Sequence, residues 1–215
     1  MWDMGEITMP GGWALSMLWF PMCGQTWAGA AASFIGMWAV MMVAMILPSW
    51  APMLWRGEVA AWAGAGYAFV LTMLGVPVFA LGAAFAQAVL QMPAVAHAVP
   101  VSLGSVVLLA GAYQLTPWKA HHLACCRQAA AQGLAPPAGA RAAWRRGVRL
   151  GLHCSHSCAG LTAMLLVMGV MDLGAMALIT AAITAERLAP AGERVARAVG
   201  VASIGTGLLL IARAA

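Results

Sequence analysis

The apolar residues of this chain fall into long uncharged runs, not into the alternating or one-sided patterns of a soluble fold. Residues 28–47 carry no charge and are long enough to cross a hydrocarbon layer at 1.5 Å per helical residue. Pro48 and Pro52 predict the end of that helix. Arg56 and Glu58 make a polar turn before a second run, residues 61–90, in which Pro77 predicts a kink or a break. Beyond Gln91, Pro93 and His97, further runs cover residues 99–115, 150–170, 173–185 and 195–211. Six runs predict an all-α fold, a polytopic transmembrane helical bundle of about six spans. Residues 1–27 precede it as an interfacial segment in which Trp2, Trp13, Trp19 and Trp27 suit the headgroup level. Residues 28–215 then form a single transmembrane domain containing a basic cytoplasmic loop at about 117–149.

Composition supports that pattern. The chain is 63% hydrophobic and 8% charged, whereas a soluble domain carries about a quarter charged residues. A removable signal peptide is not predicted, because no basic segment precedes a short apolar core with a small-residue cleavage site. Of the eleven Lys and Arg residues, all but Arg213 share one side if the N-terminus is outside. The rule that cytoplasmic segments hold the basic residues therefore puts both termini outside and the 117–149 loop inside. Topology accounts for the basic loop, so nucleic acid is not an expected partner.

Chemistry concentrates beside that loop. Four of the five cysteines and four of the five histidines form two groups: His121, His122, Cys125 and Cys126, then His153, Cys154, His156 and Cys158. On a helix, His121 and Cys125 share a face, as do His122 and Cys126, the four lying within about 140° of arc. Cys154 and Cys158 also share a face, while His153 and His156 point away from it. Either the segment near Gly151 is unwound or only some of these residues act together. Thiolate with imidazole suits a soft or borderline transition metal, Cu(I) in first place and zinc as the alternative, and disfavours Mg and Ca. His122, Cys126, Cys154 and Cys158 are candidates to share one ion. The competing reading is that the thiols are small buried hydrophobes and the imidazoles merely solvated. A disulfide is disfavoured on the cytoplasmic side. Cys23 and His97 receive no role.

Secondary candidates are Met37, Met41 and Met45, a thioether stripe that serves either as packing or as a Cu(I) face, and Glu186. Glu186 reads as a partner of the adjacent Arg187 or as a relay group inside the bundle. Asp172 reads as a turn residue. Phosphate-loop, nucleophile-elbow and zinc-protease motifs are absent from the sequence, and whether the chain is an enzyme stays open. Two further classes remain: a haem or redox protein using His121, His122 or His153 as axial ligands, and a structural subunit of a larger membrane complex. Beyond the lipid bilayer, partners would be other membrane subunits or a second copy.

Several motifs carry a family resemblance. They are Met37-Trp38-x-x-Met41-Met42-x-Ala44-Met45-x-Leu47-Pro48-Ser49, Gly111-x-Tyr113-Gln114-x-Thr116-Pro117-x-Lys119 with Cys126-Arg127, Gly151-Leu152-x-Cys154, Gly169-Val170-Met171 and Glu186-Arg187. Across about residues 28–190 the chain resembles a bacterial family of predicted metal-binding integral membrane proteins (domain of unknown function 2182). The resemblance implies a multi-pass protein of the bacterial inner membrane with a metal site. Where that family commonly carries further cysteines, this chain has His122, His156 and Ser157.

Overall fold

The structure is a computed structural model that describes residues 6–8, 14–16, 19, 21, 24–54, 58–131, 139–169 and 172–214. Trp2, Trp13, Cys23, Arg56, Pro136, Pro137, Val170 and Met171 lie outside the described residues. A short antiparallel pair, β1 (Glu6–Thr8) and β2 (Ala14–Ser16), precedes seven described helices. These are α1 (Trp27–Leu54), α2 (Glu58–Gln91), α3 (Pro93–Gln114), α4 (Pro117–Ala131), α5 (Ala140–Met168), α6 (Leu173–Leu188) and α7 (Gly192–Ala214).

The all-helical reading of residues 28–215 therefore holds, with corrections to its parts. Helix α1 continues through Pro48 and Pro52 to Leu54. Helix α2 runs without a break through Pro77; one missing N–H is tolerated in a long apolar helix supported by its neighbours. Most of the expected basic loop is helix. Thr116 and Pro117 form a start signal, with Pro at the first helical position and the Thr116 hydroxyl accepting from the Lys119 N–H at 3.4 Å. The Ala, Leu, Lys, Gln and Arg content of α4 then sustains the helix. Four helices are long and apolar enough to cross a membrane, over Trp27–Met45, Ala61–Gln91, Ala140–Met168 and Gly192–Arg213. A fifth crossing is added if Ala98–Gln114 and Pro117–Gln128, bent by 62°, count as one span. Helix α6, with 16 residues, is shorter than the roughly 20 that a crossing needs.

Helix directions follow from the packing. Trp38 of α1 donates its indole N–H to the Leu71 carbonyl of α2 at 3.0 Å, and Phe34 meets Phe79 at 5.4 Å between ring centroids, so α1 and α2 are antiparallel. Gly66 lies against Trp144, and Gly151 against Val70, so α2 and α5 are parallel. Gly104 and Gly111 of α3 interleave with Gly207 and Gly200 of α7, and these two helices run antiparallel. Small residues let the backbones approach closely enough for contact along their length. The Met stripe belongs to the core: Met41 and Met45 are buried beside Phe34, Trp38 and Leu161, with Met37 partly buried against them. Of the interfacial tryptophans, Trp19 packs on Phe34 at 5.1 Å, while Trp27 begins α1 and is exposed.

Gly147 supplies a direct test of this packing, because a Cβ there would meet the Ala63 backbone, whereas one at Gly36 would meet nothing within 4 Å. Gly147→Val should lower stability by about 1–3 kcal/mol through overpacking. Gly36→Ala should be neutral or slightly stabilising. Thermal unfolding in mild detergent compares them, and equal tolerance of both changes would contradict the α2–α5 contact.

Candidate metal-handling site

Two faces of α5 divide the expected ligands. Helix α5 is regular through Gly151, so the unwound alternative falls away and the 3.6-residue period sets the directions. His153 and His156 face α4. There the His122 Nδ1 lies 2.8 Å from His153 Nδ1, and the His122 ring stacks on His156 at 4.9 Å between centroids. Trp118 closes the group edge-on to His122 at 5.0 Å and to His156 at 6.3 Å. His122 Nε2 is buried with no hydrogen-bond partner. His121 and Cys125 make their expected one-turn pair, with Nε2 and Sγ 3.8 Å apart.

The other face of α5 carries the thiols. Cys154 and Cys158 are buried with their sulfurs 4.0 Å apart. Tyr67 of α2 donates its hydroxyl to Cys154 Sγ at 2.8 Å. Arg187, from the last turn of α6, directs one guanidinium nitrogen to both sulfurs, 2.6 Å from Cys154 and 3.1 Å from Cys158. Cys126 reaches the same group from α4, interacting with Ser157, Arg187 and Cys158. Ser157 lies 3.7 Å from Cys158 Sγ through its hydroxyl, filling a place in the thiol cluster with oxygen. All four described cysteines are free thiols.

A buried ion pair adjoins the thiols. Lys119 Nζ meets Glu186 Oε2 at 2.7 Å, with 1% and 3% of the two side chains exposed. Gln114 joins both, donating to Glu186 Oε1 at 3.1 Å and accepting from Lys119. The sequence reading of Glu186 as a partner of adjacent Arg187 is thus corrected: successive residues on a helix point about 100° apart, and Glu186 goes to α4 while Arg187 goes to α5. Lys119, Gln114, Arg187 and Tyr67 were not singled out as site residues. Their signal was the isolation of polar groups in an apolar chain, and pairing across 67 positions is not visible to local spacing. Asp172 caps α6, accepting from the N–H groups of Gly174 and Ala175.

The eight Cys and His candidates therefore separate into an imidazole group and a thiol group. Among the described residues, no three His, Cys, Asp or Glu side chains are arranged to hold a metal ion. The proposed common set of His122, Cys126, Cys154 and Cys158 is split between the two groups. Cys154 with Cys158 makes a buried pair of thiols: a metal–thiolate bond is about 2.3 Å, so sulfurs 4.0 Å apart can bracket one ion. The His97 side chain and Cys23 lie outside what the structure describes.

A family model described as copper chaperone, PpoB2, matches residues 35–210. That span contains α2 to α6, most of α1 and α7, both ligand groups and the Lys119–Glu186 pair. No curated protein and no solved structure matches the chain. Copper, the softest of the ions considered from the thiol and imidazole content, is thereby favoured over zinc and haem. With the match covering most of its length, the chain belongs to the PpoB2 copper chaperone family.

Proposed function

We propose that this protein is a multi-pass protein of the bacterial inner membrane that takes up copper(I) as cargo, with Cys154 and Cys158 as the primary donors and Cys126 beside them. The observation that carries the reading is the pair of buried sulfurs 4.0 Å apart in a copper chaperone family member. Soft thiolates suit Cu(I), and the family match favours copper over the other ions that thiolates bind. Among the described residues, a tetrahedral set of the kind zinc prefers is not assembled. His121, His122, Cys125, His153 and His156 form an outer donor group on the neighbouring face, toward which the unpartnered His122 Nε2 contributes a buried acceptor or donor. In this reading the Met37, Met41 and Met45 stripe packs the core, and Glu186 holds the frame through Lys119.

The proposed topology has both termini outside and six crossings, α1, α2, α3 with its bent continuation α4, α5, α6 and α7, in which the 16-residue α6 crosses as a short span accommodated by local thinning of the bilayer. Alternating helix directions support it: α1 antiparallel to α2, α2 parallel to α5, and α3 antiparallel to α7. So does the basic start of α5, where Arg141, Arg145, Arg146 and Arg149 suit a cytoplasmic extension. The thiols then lie near the cytoplasmic boundary, accessible to cargo from that side.

Protein purified in mild detergent and loaded with copper(I) tests the ligand assignment. Cys154→Ser and Cys158→Ser should each weaken copper retention by roughly tenfold or more, the range that altered metal shells produce; Cys23→Ser should leave it unchanged. Copper content should also fall on acidification, since thiolate ligands must be deprotonated to bind. Full retention in the Cys154 and Cys158 variants would refute the assignment.

Topology is checked separately with reporter fusions. A fusion after Ala215 should read periplasmic and one near Pro136 cytoplasmic. Both on the same side would mean an even number of crossings between them, against the three proposed.

A further inference from the structure

Arg187 is the unexpected member of the thiol group. One of its nitrogens lies 2.6 Å from Cys154 Sγ and 3.1 Å from Cys158 Sγ, bridging both sulfurs where an ion held by the pair would have to sit. A guanidinium keeps its charge under all relevant conditions, and a buried charge needs compensation. Among the described residues no carboxylate pairs with Arg187; its neighbour Glu186 is held by Lys119 and Gln114. The electron-rich atoms gathered on Arg187 are sulfurs, Cys154 and Cys158 at hydrogen-bond distance and Cys126 beside them.

We infer that Arg187 is the resident cation of the empty thiol site, and that copper(I) enters by displacing its guanidinium from between Cys154 and Cys158. This rests on the thiol assignment above and adds a control to it. For a given protonation state of the two sulfurs, exchange of one monovalent cation for another keeps the charge next to them constant, and any proton still on a sulfur is released to solvent as copper(I) binds. The geometry also supplies the means. Arg187 is in the last turn of α6, one residue before the helix ends at Leu188, and its long flexible side chain can withdraw without moving α5. The Lys119–Glu186 pair meanwhile keeps the adjacent turn of α6 fixed to α4. Occupancy by Arg187 makes the site weaker than its sulfurs alone would be, which suits a carrier that must release its cargo.

The test compares copper(I) affinity of the whole protein in detergent, by competition with a chromogenic copper(I) chelator. Arg187→Gln removes the competing charge and should bind copper(I) more tightly by roughly tenfold, the scale on which second-shell partners alter metal affinity. Arg187→Lys keeps a cation and should stay nearer the wild type. Equal or weaker binding by folded Arg187→Gln would overturn the inference. A second measurement uses the unaltered chain: phenylglyoxal labelling of Arg187, read by peptide mass spectrometry, should rise when copper(I) is loaded. Labelling that is the same with and without copper(I) would overturn it as well. The double variant Cys154→Ser with Cys158→Ser separates the two levels. If it retains copper(I), the thiol assignment itself fails; if it loses copper(I) while Arg187 shows neither effect, only the displacement step fails.

Discussion

The structure depends on the Lys119–Glu186 ion pair, two opposite charges placed in an interior where they are almost wholly cut off from water. Such a pair gains little net stability over apolar packing, yet removing one partner of a buried pair costs about 3–5 kcal/mol. Its effect is therefore on arrangement: α4 and α6 have one register in which both charges are compensated. Gln114 at the end of α3 completes the pair, so the bend between α3 and α4 is held to the same point. From that point Arg187 is aimed at α5, one residue along from Glu186. The thiol site is thus a consequence of where the ion pair locks the end of α6.

Close backbone contact makes this register possible. Gly66 and Gly151 set α2 and α5 together, which brings the Tyr67 hydroxyl to Cys154. Gly160 faces Ala110, and one turn away Tyr113 donates to the His156 carbonyl at 2.8 Å, drawing α3 to the histidine face of α5. Bulkier residues at these crossings would move the helices apart by the width of a side chain. The polar groups on Tyr67, Tyr113 and Arg187 would then miss their partners, so packing of the smallest residues governs the geometry of the most reactive ones.

Much of this was legible in the chain. The uncharged runs located the apolar helices, and helical period alone separated His153 and His156 from Cys154 and Cys158. The pairing of His121 with Cys125 followed from the same rule. What escaped was non-local or masked by charge. Residues 117–131 looked like loop because basic residues and two proline-containing motifs bounded them, although Thr116-Pro117 is also a helix start. Glu186 and Arg187 looked like a local pair because they are adjacent, yet adjacency on a helix places them on different faces. Pro77 was read as a kink or a break, and the helix continues through it without a break, because one missing N–H does not end a long apolar helix. The Met stripe was read as a single face, and that face lies in the core beside Phe34 and Trp38.

The division of α5 into an imidazole face and a thiol face bears on how a carrier could hold a tightly bound ion without trapping it. A complete tetrahedral shell built from both groups would bind strongly and release slowly. Here Ser157 supplies oxygen within the thiol cluster, His122 is engaged with His153 and His156, and the two buried sulfurs share a guanidinium. Each feature subtracts a ligand from the set that a storage site would use. In the proposed reading, what is left to copper(I) is a pair of soft sulfurs on one helical face, incomplete enough to surrender it. For the proposed carrier, an incomplete shell lets the ligands exchange their ion, while the buried ion pair keeps the frame in one arrangement.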